Sequence, residues 1–169
     1  MIEKELSPVP VKRVNFPYRR AGKPFPDRTP VLLESVRKEV FAAAKKWGVA
    51  TDQIAIGGRS MGGRMCSMVA SGEECELLPV GGLILISYPL HPPGKPEQLR
   101  AAHLSQIRVP TLLIHGTRDP FGSPEELRKY AGKLRGKKKF HFIDGGRHEL
   151  KNKDEEIAIV IKSWTSALR

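Results

Sequence analysis

At 169 residues the chain has room for one domain and one sizeable core, so every motif is assigned to a single fold, with residues 1–10 as an N-terminal extension. Apolar residues at 40% and charged residues at 28% exclude disordered and low-complexity classes; the longest apolar stretch, around Leu83 to Ile86, falls far short of the ~20 residues of a membrane span, and Met1 to Lys4 lacks a signal-peptide apolar run. Two cysteines, Cys66 and Cys75, fit neither a disulfide framework nor a zinc spacing, and the formal charge of +11 is spread along the chain, so solvated surface is preferred to a nucleic-acid partner.

A cytoplasmic protein without a membrane partner is the resulting expectation. In chain order, Val11 to Phe16 reads as a strand, and Pro17 to Pro30 carries four prolines among basic residues and reads as a loop. From Val31 to Trp47 apolar residues recur at three or four, predicting a helix that Gly48 ends, and Gln53 to Gly57 is a short buried strand. A small-residue helix through Ala70 follows, with Cys66 as a packing residue, and Val80 to Ser87 is a continuous apolar run suited to a strand covered on both faces. A short helix is expected near Glu97 to His103, then a strand over Thr111 to His115. Ser123-Pro124-Glu125-Glu126 opens a helix with a capping box and Pro at its first position. Lys139 to Ile143 reads as the last strand and Glu155 to Leu168 as a final amphipathic helix. This alternation predicts the α/β class: an open, mostly parallel sheet with helices on both faces and the chemistry at the strand C-terminal ends.

Gly58-Arg59-Ser60-Met61-Gly62 is a G-x-S-x-G motif between a strand and a helix, where a sharp turn holds the serine outward. A plain Gly-rich turn is the bland alternative, and a phosphate cradle lacks its lysine. A serine hydroxyl needs a base to remove its proton and a carboxylate to orient that base. Asp119, in the loop after the Thr111 strand, and His148, after the last strand, supply both in the order Ser, Asp, His that this fold uses. His115 and Asp144 are the rival base and acid, and turn initiation at Asp119-Pro120 is the bland reading of that aspartate.

These motifs, with Asn15-Phe16-Pro17-Tyr18-Arg19-Arg20-Ala21-Gly22 upstream, resemble the small dienelactone-hydrolase-like branch of the α/β-hydrolases. More narrowly, the chain is similar from about Val11 onward to bacterial predicted hydrolases related to the hydrolase-like domain of an animal chromatin-complex subunit. The resemblance implies an α/β-hydrolase fold, Ser60 as nucleophile in place of the cysteine of true dienelactone hydrolases, and no metal or organic cofactor. Family members usually begin with another strand and a His-Gly-x-Gly type loop that donates to the oxyanion. Nothing before Val11 matches it, so a minimal version lacking N-terminal strands is expected, with Met61 N–H as one oxyanion donor. The open strand edge this leaves points to a homodimer.

Two functions follow. As an enzyme, the chain takes a small ester or thioester through an acyl-Ser60 intermediate, and Arg59 and Arg147 beside the site favour a substrate with a carboxylate or phosphate. As a non-catalytic module, the same fold is a binding scaffold with a basic surface.

Overall fold

The computed structural model describes residues 2–168; Met1 and Arg169, the ends of the expected domain, lie outside the described residues. Four strands, β1 (Ala55–Arg59), β2 (Gly82–Ile86), β3 (Thr111–Gly116) and β4 (Lys138–Ile143), form one parallel sheet in the order β1-β2-β3-β4. Alternation along the two inner strands builds a core on each face, as a sheet covered on both sides requires. Leu83, Leu85 and Leu113 enter one core with α3 (Thr29–Trp47), α4 (Met61–Ser71) and α5 (Pro124–Ala131). Ile84, Ile86, Leu112 and Ile114 enter the other with Leu6 of α1 (Ile2–Leu6) and Ile157, Ile161 and Trp164 of α6 (Asp154–Ser166). Cys66 is buried on α4, as its packing role requires.

The helix signals of the sequence translate directly at α5. Ser123 Oγ accepts from the Glu126 N–H at 3.2 Å, Glu126 Oε2 accepts from the Ser123 N–H at 2.8 Å, and Pro124 takes the first position. Gly48, at φ 66°, ends α3 in the left-handed region.

Three expectations are corrected. Val11 to Phe16 is not a strand: Val9 and Val11 pack into the α6 core while Phe16 and Tyr18 pack into the α3 core. The segment therefore crosses from one face of the sheet to the other instead of running along an edge, and among the described residues β1 hydrogen-bonds to β2 alone. Pro17 to Pro30 is not loop throughout, because Pro17–Arg20 forms a short helix, α2, with its proline where a helix start tolerates one. The helix expected near Glu97 is a 3-10 turn at Ala102–Gln106 that buries His103 and Leu104. Among the described residues, no helix is long and apolar enough to cross a membrane.

Candidate active site

The three loops singled out in the sequence leave the C-terminal ends of β1, β3 and β4, on the side where a parallel sheet collects its ligand-binding loops. Ser60 follows β1 with φ 52° and ψ −120°, a conformation few non-glycine residues adopt, and its N–H donates to Ile86 O at 2.8 Å. The close approach that bends the chain there involves Gly58 and Gly63. A Cβ on Gly58 would lie 2.7 Å from Gly62 C, and one on Gly63 would lie 2.7 Å from Gly58 O. Gly62, the second glycine of the motif, has open space around its Cβ position. Met61 is the first residue of α4, so its N–H has no intrahelical acceptor and sits at the positive end of the helix dipole.

A hydrogen-bonded chain links the three loops. His148 Nε2 lies 2.8 Å from Ser60 Oγ, and His148 Nδ1 lies 3.0 and 2.9 Å from the two oxygens of Asp119. An acceptor-only carboxylate fixes the tautomer: Nδ1–H donates to Asp119, leaving Nε2 bare to take the serine proton. The Asp119 side chain is fully buried and also accepts from the Phe121 N–H at 2.9 Å. Its charge is thus hydrogen-bonded on both sides, as a buried carboxylate requires. The Phe121 ring stacks on the imidazole with centroids 4.0 Å apart, fixing its plane. Thr117 and Arg118 lace the acid loop to the base loop: Arg118 N–H donates to Gly146 O and Gly145 N–H to Thr117 Oγ1, each at 2.8 Å.

The rivals occupy other positions. Asp144 is exposed and accepts from Thr117 Oγ1 at 3.3 Å. His115 is wholly buried; its Nε2–H donates to Gly122 O at 2.9 Å and stands 3.6 Å from Asp119 Oδ2. Burial holds its pKa below the usual histidine value, more than the Gly122 contact and the Asp119 charge raise it, so it braces the acid loop as a neutral ring. Arg59 donates to the Glu149 carbonyl and pairs with Asp154 Oδ1 at 3.3 Å, tying the end of β1 to the loop that carries His148. Arg147 is exposed beside His148. The Phe121 stack and the Arg59 tie had no sequence signal, since both depend on loop packing.

Behind the elbow lies a second polar group. Ser67 Oγ donates to Arg64 O at 2.7 Å and accepts from His103 Nε2 at 2.8 Å, while Tyr88 OH donates to Arg100 O at 2.7 Å. Desolvation lowers the His103 pKa to about 4 and raises that of Tyr88 to about 12. Among the described residues, no three His, Cys, Asp or Glu side chains are grouped as a metal ion would need.

Strand order, elbow and loop placement define an α/β-hydrolase, and the chain belongs to the alpha/beta hydrolase domain family, which matches residues 3–168. The fold is similar to that of an α-β serine hydrolase homologue from Coxiella burnetii, at 18% identity and TM-score 0.65, over 83% of this chain and 62% of that one. Est1E from Butyrivibrio proteoclasticus matches at 17% identity and TM-score 0.66, over 84% of this chain and 71% of that one. A monoacylglycerol lipase from Paleococcus ferrophilus matches at 15% identity and TM-score 0.65, over 85% and 77%. This chain therefore spans under two thirds of the Coxiella protein.

Proposed function

We propose that the chain is a serine hydrolase acting on small esters or thioesters through an acyl-Ser60 intermediate. The observation that carries this reading is the continuous chain Asp119–His148–Ser60, in which each atom has the donor or acceptor role that acyl transfer needs. Ser60 Oγ attacks the carbonyl carbon as its proton passes to His148 Nε2, and the Met61 N–H faces the developing oxyanion. His148 returns the proton to the leaving alcohol or thiol. Water, deprotonated by the same nitrogen, then releases the acid and restores Ser60. Resemblance to the dienelactone-hydrolase-like branch, and the serine hydrolase homologue and lipase among the similar folds, support this class. Arg147, exposed next to His148, is the cation we assign to a substrate carboxylate or phosphate; Arg59 is occupied by Glu149 and Asp154.

The test is stoichiometric labelling by a fluorophosphonate probe. Wild type is expected to label on Ser60, with labelling lost in Ser60→Ala and His148→Ala. A folded wild type that stays unlabelled overturns the enzyme reading in favour of a binding scaffold.

A further inference from the structure

The fold adds Arg108 to a basic run in the chain. Between Leu127 and Asp144 there are seven Lys and Arg and no Asp or Glu. The turn that joins α5 to β4 folds back against the segment before β3, with the Arg135 and Gly136 N–H groups donating to Ile107 O at 2.9 and 3.2 Å and the Thr111 N–H to Lys137 O at 2.8 Å. Arg108 is thereby brought beside Arg135 and Lys137 at the N-terminal end of the sheet. Lys138 is consumed within the turn, donating to Gly132 O and Leu134 O at 2.7 and 2.6 Å. Lys129 and Lys133, one helical turn apart, both lie over the Tyr130 ring, at 5.3 and 5.7 Å from its centroid.

Arg108, Lys129, Lys133, Arg135, Lys137 and Lys139 are all exposed, and among the described residues none of them takes part in an ion pair. Like charges this close repel, and a surface arranged for stability alone would intersperse acids. Guarding the β4 edge against pairing does not account for them, since five of the six precede β4 in the chain. Arg108, Arg135 and Lys137, before the starts of β3 and β4, lie about one strand length from the triad, ~20 Å at roughly 3.3 Å per residue.

We propose that this face binds the phosphate backbone of a nucleic acid without reading sequence. Such a backbone supplies closely spaced anions, and Lys and Arg held without acid partners release its counterions on contact. An anionic membrane is the poorer fit, because a surface-seated site inserts several apolar side chains, and among the described residues Leu168 is the one large exposed apolar side chain that the contacts bring beside Gly82 and Pro110 at this end of the sheet.

The test is fluorescence anisotropy of the whole protein with labelled 20-mers of single-stranded RNA, single-stranded DNA and duplex DNA between 50 and 300 mM salt. Binding should weaken with a log–log slope of about −4 on single strands and about −5 on the duplex, for six neutralised phosphates. Arg135→Glu/Lys137→Glu/Lys139→Glu should weaken binding at 50 mM salt at least a hundredfold and flatten the slope, with fluorophosphonate labelling unchanged. Should that variant fail to fold, Lys137→Gln/Lys139→Gln serves in its place, with a flattening of about 1.4 on single strands. Arg13→Glu/Lys23→Glu/Lys45→Glu makes the same net charge change elsewhere and should bind nearly as wild type. The proposal is overturned by absent binding at 50 mM salt, by equal losses in the two triple variants, or by tighter binding to polyglutamate or to phosphatidylserine vesicles. Because labelling of Ser60 is read separately, either result stands apart from the hydrolase reading.

Discussion

The two ends of the sheet solve opposite problems. At the C-terminal end, the triad and its neighbours are buried or half-buried and hydrogen-bonded: Asp119 is held by His148 and Phe121, His148 by Asp119 and Ser60, and His103 by Ser67. At the N-terminal end, exposed cations take part in no ion pair among the described residues. Low dielectric makes the first arrangement strong and also intolerant, because removing one partner leaves another buried and unpaired. Solvent makes the second weak and permissive.

The largest effect expected from that contrast is at Asp119. Asp119→Asn keeps the shape but no longer imposes the Nδ1–H tautomer, and ester turnover, or the labelling rate, should fall by about four orders of magnitude. A loss under tenfold would mean that the carboxylate is not working through His148. Next comes acid sensitivity centred on His103. Its folded pKa of about 4 lies below the ordinary 6.5, so the unfolded chain binds the extra proton first. The stabilisation is whole above pH 6.5 and disappears as pH falls to 4, about 3 kcal/mol over that window. His115, shifted the same way, adds to it. Urea midpoints between pH 7 and pH 4 measure this, and His103→Gln should flatten the profile.

Packing at the elbow sharpens the contrast on a smaller scale. Gly63→Ala drives a methyl to 2.7 Å from Gly58 O and should cost about 1–3 kcal/mol, whereas Gly62→Ala meets nothing and should gain up to about 1 kcal/mol of helix propensity. Thermal melts of the two variants separate them, and equal melting temperatures would break the steric account. The smallest effect belongs to the far end of the sheet. There Lys137→Glu/Lys139→Glu should leave the melting temperature within the shift of about 0.5 kcal/mol or raise it, since it relieves repulsion.

What the sequence makes legible follows how local the physics is. Helix α5 could be read from Ser123 to Glu126 because its cap closes within four residues. The apolar run from Val80 to Ser87 could be read as a strand covered on both faces, and Thr111 to His115 as a further strand, because burial on both faces leaves continuous apolar runs. Val11 to Phe16 misled because an extended apolar pattern does not say which way the segment crosses the sheet, and Pro17 misled because proline starts helices as well as breaking them. At the site, the motifs assign Ser60, Asp119 and His148 to separate loops, and the structure places them within hydrogen-bonding distance. Phe121 over the imidazole and Gly63 against Gly58 are contacts between chain segments, and no spacing announces them. The basic face is partly of this kind: its run from Lys129 to Lys139 is visible in the sequence, but Arg108 joins it only through the turn at Ile107.

The strand order has a consequence for how the molecule forms. Because β1, β2, β3 and β4 are neighbours in the order in which they occur, the sheet can grow by adding each strand to the one before it, each addition closing one helix-bearing connection between adjacent strands. The triad does not share that locality. Ser60 and His148 are 88 residues apart and meet only when the fourth strand has docked. Reactivity of Ser60 therefore reports the end of folding rather than its beginning, and time-resolved labelling during refolding would clock the docking of the last strand.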